Sequence, residues 1–212
     1  MKIAVMGTHG LGKTKLVDML EVHCKNLGET YVPIRTWDYR ELIKARDPVN
    51  DAHGEITKRI FFEIYPITNY PHENYEIVYG TAIDPVIYLI AMELKGGCPA
   101  ELHRYATNWM HTYDLIFYVI PSAGVIPVNK KLTLDEKFQD KVADEFSLYM
   151  NEFMFQLDVN IIQLESDDIH NKRIKSIFKN VIEDENDWDN SRFFIAFSTD
   201  CFIWYLSNRD ER

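Results

Sequence analysis

The amino-acid sequence predicts an α/β domain: a five-stranded parallel sheet with helices on both faces, followed by a C-terminal β-hairpin. Three observations lead there. Short apolar runs alternate with segments of helical periodicity five times, the pattern of parallel strands joined by crossover helices. The first run, Lys2-Ile3-Ala4-Val5-Met6, passes straight into the glycine-rich stretch Gly7-Thr8-His9-Gly10-Leu11-Gly12-Lys13-Thr14 and then into a helical pattern. Two further apolar segments, residues 192–197 and 201–206, flank Ser198-Thr199-Asp200 and read as the hairpin.

In chain order, Lys2 to Met6 reads as a buried first strand. Leu16, Leu20 and Leu27, with Met19 and Cys24 nearby, recur at helical spacing, and Gly28 supplies a stop. Tyr31-Val32-Pro33-Ile34 is the second strand, and residues 35–42 form a loop entering a helix. Residues 46–51, around Asp47-Pro48, read as a turn or mobile loop. A helix spans about 53–65 with Ile56, Ile60 and Ile64 on one face, interrupted by Pro66 and Pro71. Glu76-Ile77-Val78-Tyr79 is the third strand. Asp84 then serves as an N-cap before Pro85, and its helix runs to about Leu94, stopped by Gly96-Gly97. Another helix occupies about 100–112. Leu115-Ile116-Phe117-Tyr118-Val119-Ile120 is the clearest buried strand. Leu134, Phe138, Val142, Phe146, Met150 and Phe153 mark one face of a long amphipathic helix. Residues 159–164 form the fifth strand, and Ser166-Asp167-Asp168 cap a helix carrying Ile174, Ile177, Phe178 and Val181. The acidic stretch 183–189 is a surface linker.

With 212 residues, 46% of them hydrophobic, the chain is long enough for one large domain with a sizeable core. No apolar run approaches the roughly 20 residues that span a bilayer, and the first strand leaves no room for a signal peptide. Cys24, Cys98 and Cys201 are few, odd in number and far apart; they read as reduced thiols of a cytoplasmic protein, without a zinc pattern. A formal net charge of −10 argues against nucleic-acid binding through the whole surface, while a local basic channel stays open.

The stretch from Gly7 to Thr14 has the spacing G-x-x-x-x-G-K-[ST] of the phosphate-binding P-loop. Its glycines let backbone N–H groups close around phosphate oxygens, and the following helix N-terminus adds a favourable partial charge. Gly7, Thr8, His9, Gly10, Leu11, Gly12, Lys13 and Thr14 are therefore the nucleotide-binding residues. Lys13 reaches the β- and γ-phosphates of ATP, and Thr14 holds Mg²⁺ through its hydroxyl. His9 shapes the loop.

The opening fourteen residues resemble the small P-loop kinases. The branch they are most similar to includes the nicotinamide-riboside-kinase-like ATPases and the bacteriophage kinases of deoxynucleotides or of 5-hydroxymethyluracil in DNA; its loops begin Gly-Thr-His-Gly, as this one does. Residues 37–42 (Trp37-Asp38-Tyr39-Arg40-Glu41-Leu42) resemble the acidic-x-x-Arg segment after the second strand. Residues 79–88 resemble the segment after the third strand, and residues 113–119 the fourth strand before the lid. The resemblance covers about residues 1–182 and implies a P-loop NTPase-like three-layer αβα sandwich over 1–183. Residues 184–212 are then an acidic linker and hairpin, packed on the same domain or on a partner subunit of a homodimer. Two departures stand out. Tyr79-Gly80 occupies the place where relatives often carry Asp-Arg, and the lid offers Lys130 and Lys131 where relatives often carry Arg.

Phosphoryl transfer needs positioning, Mg²⁺, cations on the transferring group and a group that orients the nucleophile. Asp38 is the candidate general base or acceptor contact, with a surface carboxylate or helix cap as the alternative. Asp84 contacts the acceptor or, through water, the metal, unless it is only an N-cap. Arg35 and Arg40 grip the acceptor or form surface salt bridges. Trp37 and Tyr39 stack on a base or pack beneath the loop. Lys130 and Lys131 close over the phosphates or are a solvated pair. The resemblance implies that Arg173 lies near the adenine; otherwise it is an exposed helix residue.

The expectation is an ATP- and Mg²⁺-dependent kinase acting on a deoxynucleoside, deoxynucleotide or modified pyrimidine nucleotide, with a phage-type deoxynucleotide kinase favoured. The alternatives are a 5-hydroxymethyluracil DNA kinase, for which DNA is the substrate, a nicotinamide riboside kinase, and a nucleotide-binding switch or scaffold with weak or no transfer. No membrane partner is expected, and the place of action is the cytoplasm, the host's if the chain is phage-encoded.

Overall fold

The apolar runs pair side by side in one sheet. A computed structural model of the chain describes residues 1–28, 31–35, 42, 44–69, 75–94, 97–122, 136–153, 159–170, 173–179, 182, 193–198 and 201–206. Its elements are β1 (Lys2–Met6), α1 (Lys13–Asn26), β2 (Tyr31–Arg35), α2 (Pro48–Asn69), β3 (Tyr75–Tyr79), α3 (Asp84–Ala91), α4 (Ala100–Met110), β4 (Leu115–Ile120), α5 (Glu136–Phe153), β5 (Asn160–Glu165), a 3₁₀ turn (Asp168–His170), α6 (Arg173–Phe178), β6 (Phe193–Ser198) and β7 (Cys201–Leu206). The sheet order is β2-β3-β1-β4-β5-β6-β7. Every neighbouring pair is parallel except β6–β7.

Strand residues alternate between two cores, as the period of two requires. Ile3, Val5, Ile77, Leu115, Phe117 and Ile162 face a layer containing Leu16, Leu20 and Cys24 of α1 and Ile174 and Ile177 of α6. Ala4, Met6, Val78, Ile116, Tyr118 and Ile161 face the opposite layer, built from α2, α3, α4 and α5. Each fully buried Leu, Ile or Phe in these layers stabilises the fold by about 1.5–3 kcal/mol. The central strand β1 is buried along all of its length, which is why it reads as an unbroken apolar run.

Several expectations change. The sheet has seven strands rather than five, because β6 adds in parallel to β5 (Ile161↔Phe194, Ile162↔Ile195) at an otherwise open edge and β7 pairs antiparallel with β6. The expected loop at 46–51 is the start of α2. The Asp47 side chain accepts from Asn50 N at 3.2 Å and its carbonyl from Asp51 N at 3.0 Å, and Pro48 takes the first helical position, where its missing N–H costs nothing. That helix also continues through Pro66 to Asn69, although proline supplies no N–H to the helix. Ile64 leaves the predicted stripe and is 42% exposed, and Glu63 takes the inward position. α3 ends at Ala91 rather than Leu94. The Ser166 hydroxyl lies 3.0 Å from that of Ser122, tying the end of β5 to the end of β4. Among the described residues, no helix is long and apolar enough to cross a membrane.

Candidate active site

The carboxyl ends of β1, β3 and β4 lie level, with Val5 paired to Tyr79 on one side and Phe117 on the other. The crossovers from the neighbouring strands β1 and β3 leave in opposite directions, β1 to β2 and β3 to β4, and open α/β sheets bind ligands at such a switch point. Gly7, with φ +133°, passes so close to the Val119 carbonyl oxygen that no Cβ would fit. Gly12 (φ +85°) turns the chain into α1. α1 has neither a side-chain cap nor an acidic residue in its first turn, so its N–H groups and roughly half a positive charge face the loop.

Lys13 folds back over this loop. Its Nζ donates to the Gly7 and Thr8 carbonyl oxygens, both at 2.6 Å, and the residue is only 8% exposed. Burial lowers the ammonium pKa to about 8, against the opposing pull of the Asp84 charge. Thr8 Oγ1 is buried without a hydrogen-bond partner among the described residues. An unoccupied hydroxyl, a buried ammonium and an uncapped helix start suit an anionic phosphate.

His9 ties the loop to two helices. Its Nδ1 lies 3.0 Å from the Tyr88 hydroxyl on α3, its ring stacks on Phe138 of α5, and its carbonyl accepts from Gln139 Nε2 at 2.9 Å. Burial, and then the Lys13 charge, lower its pKa to about 4, so the imidazole is neutral near pH 7.

Asp84 is buried, and it is not the N-cap that the sequence suggests. It occupies the first turn of α3 after Ile83. Its Oδ2 accepts from Thr81 N at 2.7 Å and Thr81 Oγ1 at 2.6 Å. Burial raises its pKa, while Arg59, Lys13 and the Thr81 hydrogen bonds oppose the rise.

Thr14 is exposed and its hydroxyl donates to the Tyr79 hydroxyl at 3.2 Å. That leaves its lone pairs available to a cation. Among the described residues no cluster of three His, Cys, Asp or Glu could hold a metal. One threonine oxygen fits Mg²⁺, which keeps several waters and takes its other ligands from substrate phosphates.

The structure thus brings Gly7 to Thr14 and Asp84 together at one end of the sheet. Arg35 closes β2 and Arg173 opens α6, and for both only the backbone is described. Trp37, Asp38, Tyr39, Arg40, Lys130 and Lys131 lie outside the described residues. Sequence reasoning missed Arg59, Glu63, Tyr88 and Gln139. For the first two a signal exists: counted from Ile56, positions 59, 60 and 63 share the inward face of α2, so a charge there is a charge in the core.

No protein-family profile and no curated protein matches this sequence. Among solved structures, the chain is similar to deoxyadenosine kinase from M. mycoides with bound dATP: TM-score 0.52 and 12% identity over 88% of this chain and 99% of that one. The same enzyme with dCTP bound gives a TM-score of 0.45 at 14% identity, covering 88% of this chain and 100% of that one. The first of these shows a shared α/β fold.

Proposed function

We propose that the chain is an ATP-dependent phosphotransferase of the P-loop kinase type whose acceptor is a deoxynucleoside, deoxynucleotide or modified pyrimidine nucleotide. The observation that carries this reading is the loop between β1 and α1, where Lys13 donates to the Gly7 and Thr8 carbonyls beneath an uncapped helix start. The fold shared with a deoxyadenosine kinase supports a nucleoside or nucleotide acceptor. The net charge of −10 favours a small acceptor over DNA, which ranks a phage-type deoxynucleotide kinase above a 5-hydroxymethyluracil DNA kinase. Nicotinamide riboside is a third acceptor to test.

In this reading Lys13 neutralises charge that develops on the transferring phosphoryl group. Mg²⁺, held by Thr14, would add positive charge beside the phosphates. Asp38 orients or deprotonates the acceptor hydroxyl, Arg40 grips the acceptor, and Asp84 fixes the wall of the site beside Lys13. Lys130 and Lys131 close over the phosphates and Arg173 approaches the adenine. Residues 1–183 form the kinase unit, and 184–212 an acidic linker and β-hairpin packed on that same unit.

A second reading, a nucleotide-binding switch with weak transfer, draws on Tyr79, which presents a phenol to Thr14 where an acidic residue would order a cation more strongly. A γ-phosphate transfer screen separates the two. It offers free nucleosides, nucleoside monophosphates, nicotinamide riboside and hydroxymethyluracil-containing DNA. Transfer to a deoxynucleoside or deoxynucleotide, abolished in a folded Lys13→Ala variant, is the expected result. Nucleotide binding without transfer to any acceptor would favour the switch, and wild-type turnover in folded Lys13→Ala would remove the P-loop assignment.

A further inference from the structure

Gly80 ends β3 with φ +79°, and a Cβ built there would lie 2.9 Å from Arg59 Nη1 and 3.5 Å from both Arg59 Nη2 and Asp84 Oδ1. The space that a side chain at position 80 would fill is occupied by a guanidinium from α2. Arg59 is 2% exposed. Its Nη1 donates to the Thr81 carbonyl oxygen, and Thr81 in turn gives its N–H and hydroxyl to Asp84 Oδ2. Nε of Arg59 is buried with no hydrogen-bond partner among the described residues. Keeping a partly satisfied guanidinium in a core is costly, and an apolar side chain of similar volume would pack there without that cost.

The helix that delivers Arg59 is pinned one turn further on. Glu63, fully buried, accepts from Trp109 Nε1 at 2.6 Å and Tyr113 Oη at 3.1 Å, and pairs with Lys2 Nζ at 2.6 Å. These contacts lie towards the amino end of β1. The arginine is therefore held from below while its head group reaches the end of the sheet that carries the loop. Among the described residues, the charged groups facing Asp84 are Arg59 from α2 and Lys13 from α1, with the Thr81 amide and hydroxyl beside them.

We propose that Arg59 is a positioning residue of the phosphoryl-transfer site: seated in the space left by Gly80, its guanidinium holds the Thr81 carbonyl and so fixes the Asp84 carboxylate beside Lys13. The reading rests on the kinase function proposed above. A cation thus stands at this point of the site although residue 80 has no side chain.

The test compares wild type, Arg59→Met and Arg59→Lys. It measures thermal melting, nucleotide affinity, kcat and KM across pH, and the titration of the Asp84 carboxyl by ¹³C NMR, with Asp84→Asn fixing the assignment. Arg59→Met is expected to lower kcat about 10²-fold with nucleotide affinity within about threefold. Removing the cation also raises the Asp84 pKa, so its titration moves to higher pH. Arg59→Lys keeps the charge but not the planar fork; it retains the Asp84 titration and loses about tenfold in kcat. Folded Arg59→Met with an unmoved Asp84 titration overturns the proposal, as does a loss of activity that merely follows the unfolded fraction. If Arg59→Met does not fold, wild-type kcat in Arg59→Lys overturns it. If wild type transfers phosphate to no acceptor, the kinase reading falls, and the Asp84 titration alone decides whether Arg59 sets this carboxylate.

Discussion

At the scale of the residue, Lys13 carries two duties. Without phosphate, its ammonium is spent on the Gly7 and Thr8 carbonyls, which gives the loop its shape. Burial has already lowered its pKa to about 8. A phosphate arriving beside it favours the charged form and moves the pKa back up. Binding must therefore be linked to proton uptake at alkaline pH. At pH 8, where about half of the free protein's Lys13 is neutral, nucleotide binding is expected to take up about half a proton, against none from this group at pH 6. Affinity accordingly weakens as pH rises through 8. Calorimetric titration in two buffers of different ionisation enthalpy reads the uptake directly. Equal uptake in Lys13→Ala would assign the proton to another group.

At the scale of the element, the loop is latched to two helices through His9, with Tyr88 on α3 and Phe138 and Gln139 on α5. Only a neutral imidazole suits this site, because the folded pKa is about 4 against 6.5 for an unperturbed histidine. Between those values the unfolded chain binds more protons than the folded one. The contribution of His9 to stability is thus fully present above pH 6.5 and is lost as pH falls towards 4. Denaturant unfolding of wild type should weaken over that window more than unfolding of His9→Phe, which keeps an aromatic ring but cannot protonate; identical pH slopes would show that His9 is not the group. The strands were legible because β1 and β4 are buried on both faces and their sequences are unbroken apolar runs. The Asp47-Pro48 helix start was equally visible, but the same dipeptide also signals a turn. Arg59 and Glu63 were hidden for another reason. A charge every fourth residue ordinarily marks a solvated helix face, and only their count from Ile56 puts them inside. The cross-element contacts of Gln139 and Tyr88 depend on which helices neighbour the loop, which local periodicity does not encode.

At the scale of the whole molecule, the sheet grows outwards from β1, the strand that ends in the phosphate loop, and its last two members are the most apolar stretches of the C-terminal region. Residues 193–197 and 202–206 contain almost no polar side chain, so as an isolated two-stranded unit they would be marginal in water and prone to associate. Pairing β6 to β5 (Ile161↔Phe194, Ile162↔Ile195, Gln163↔Ala196) resolves that, and it also closes the edge of β5. β5 in turn pairs with β4 along six residue pairs, and β4 flanks β1. Deleting residues 187–212 therefore uncovers the main-chain donors and acceptors of a strand two places from the phosphate loop. The expected outcome is insoluble or unfolded protein, read by expression into the soluble fraction and by circular dichroism. Adding Lys substitutions along β5 would not rescue it, because the missing element is main-chain pairing and apolar cover rather than charge. A soluble, monomeric truncation with the full chain's nucleotide affinity would show that β6 and β7 are an appendage the fold can do without.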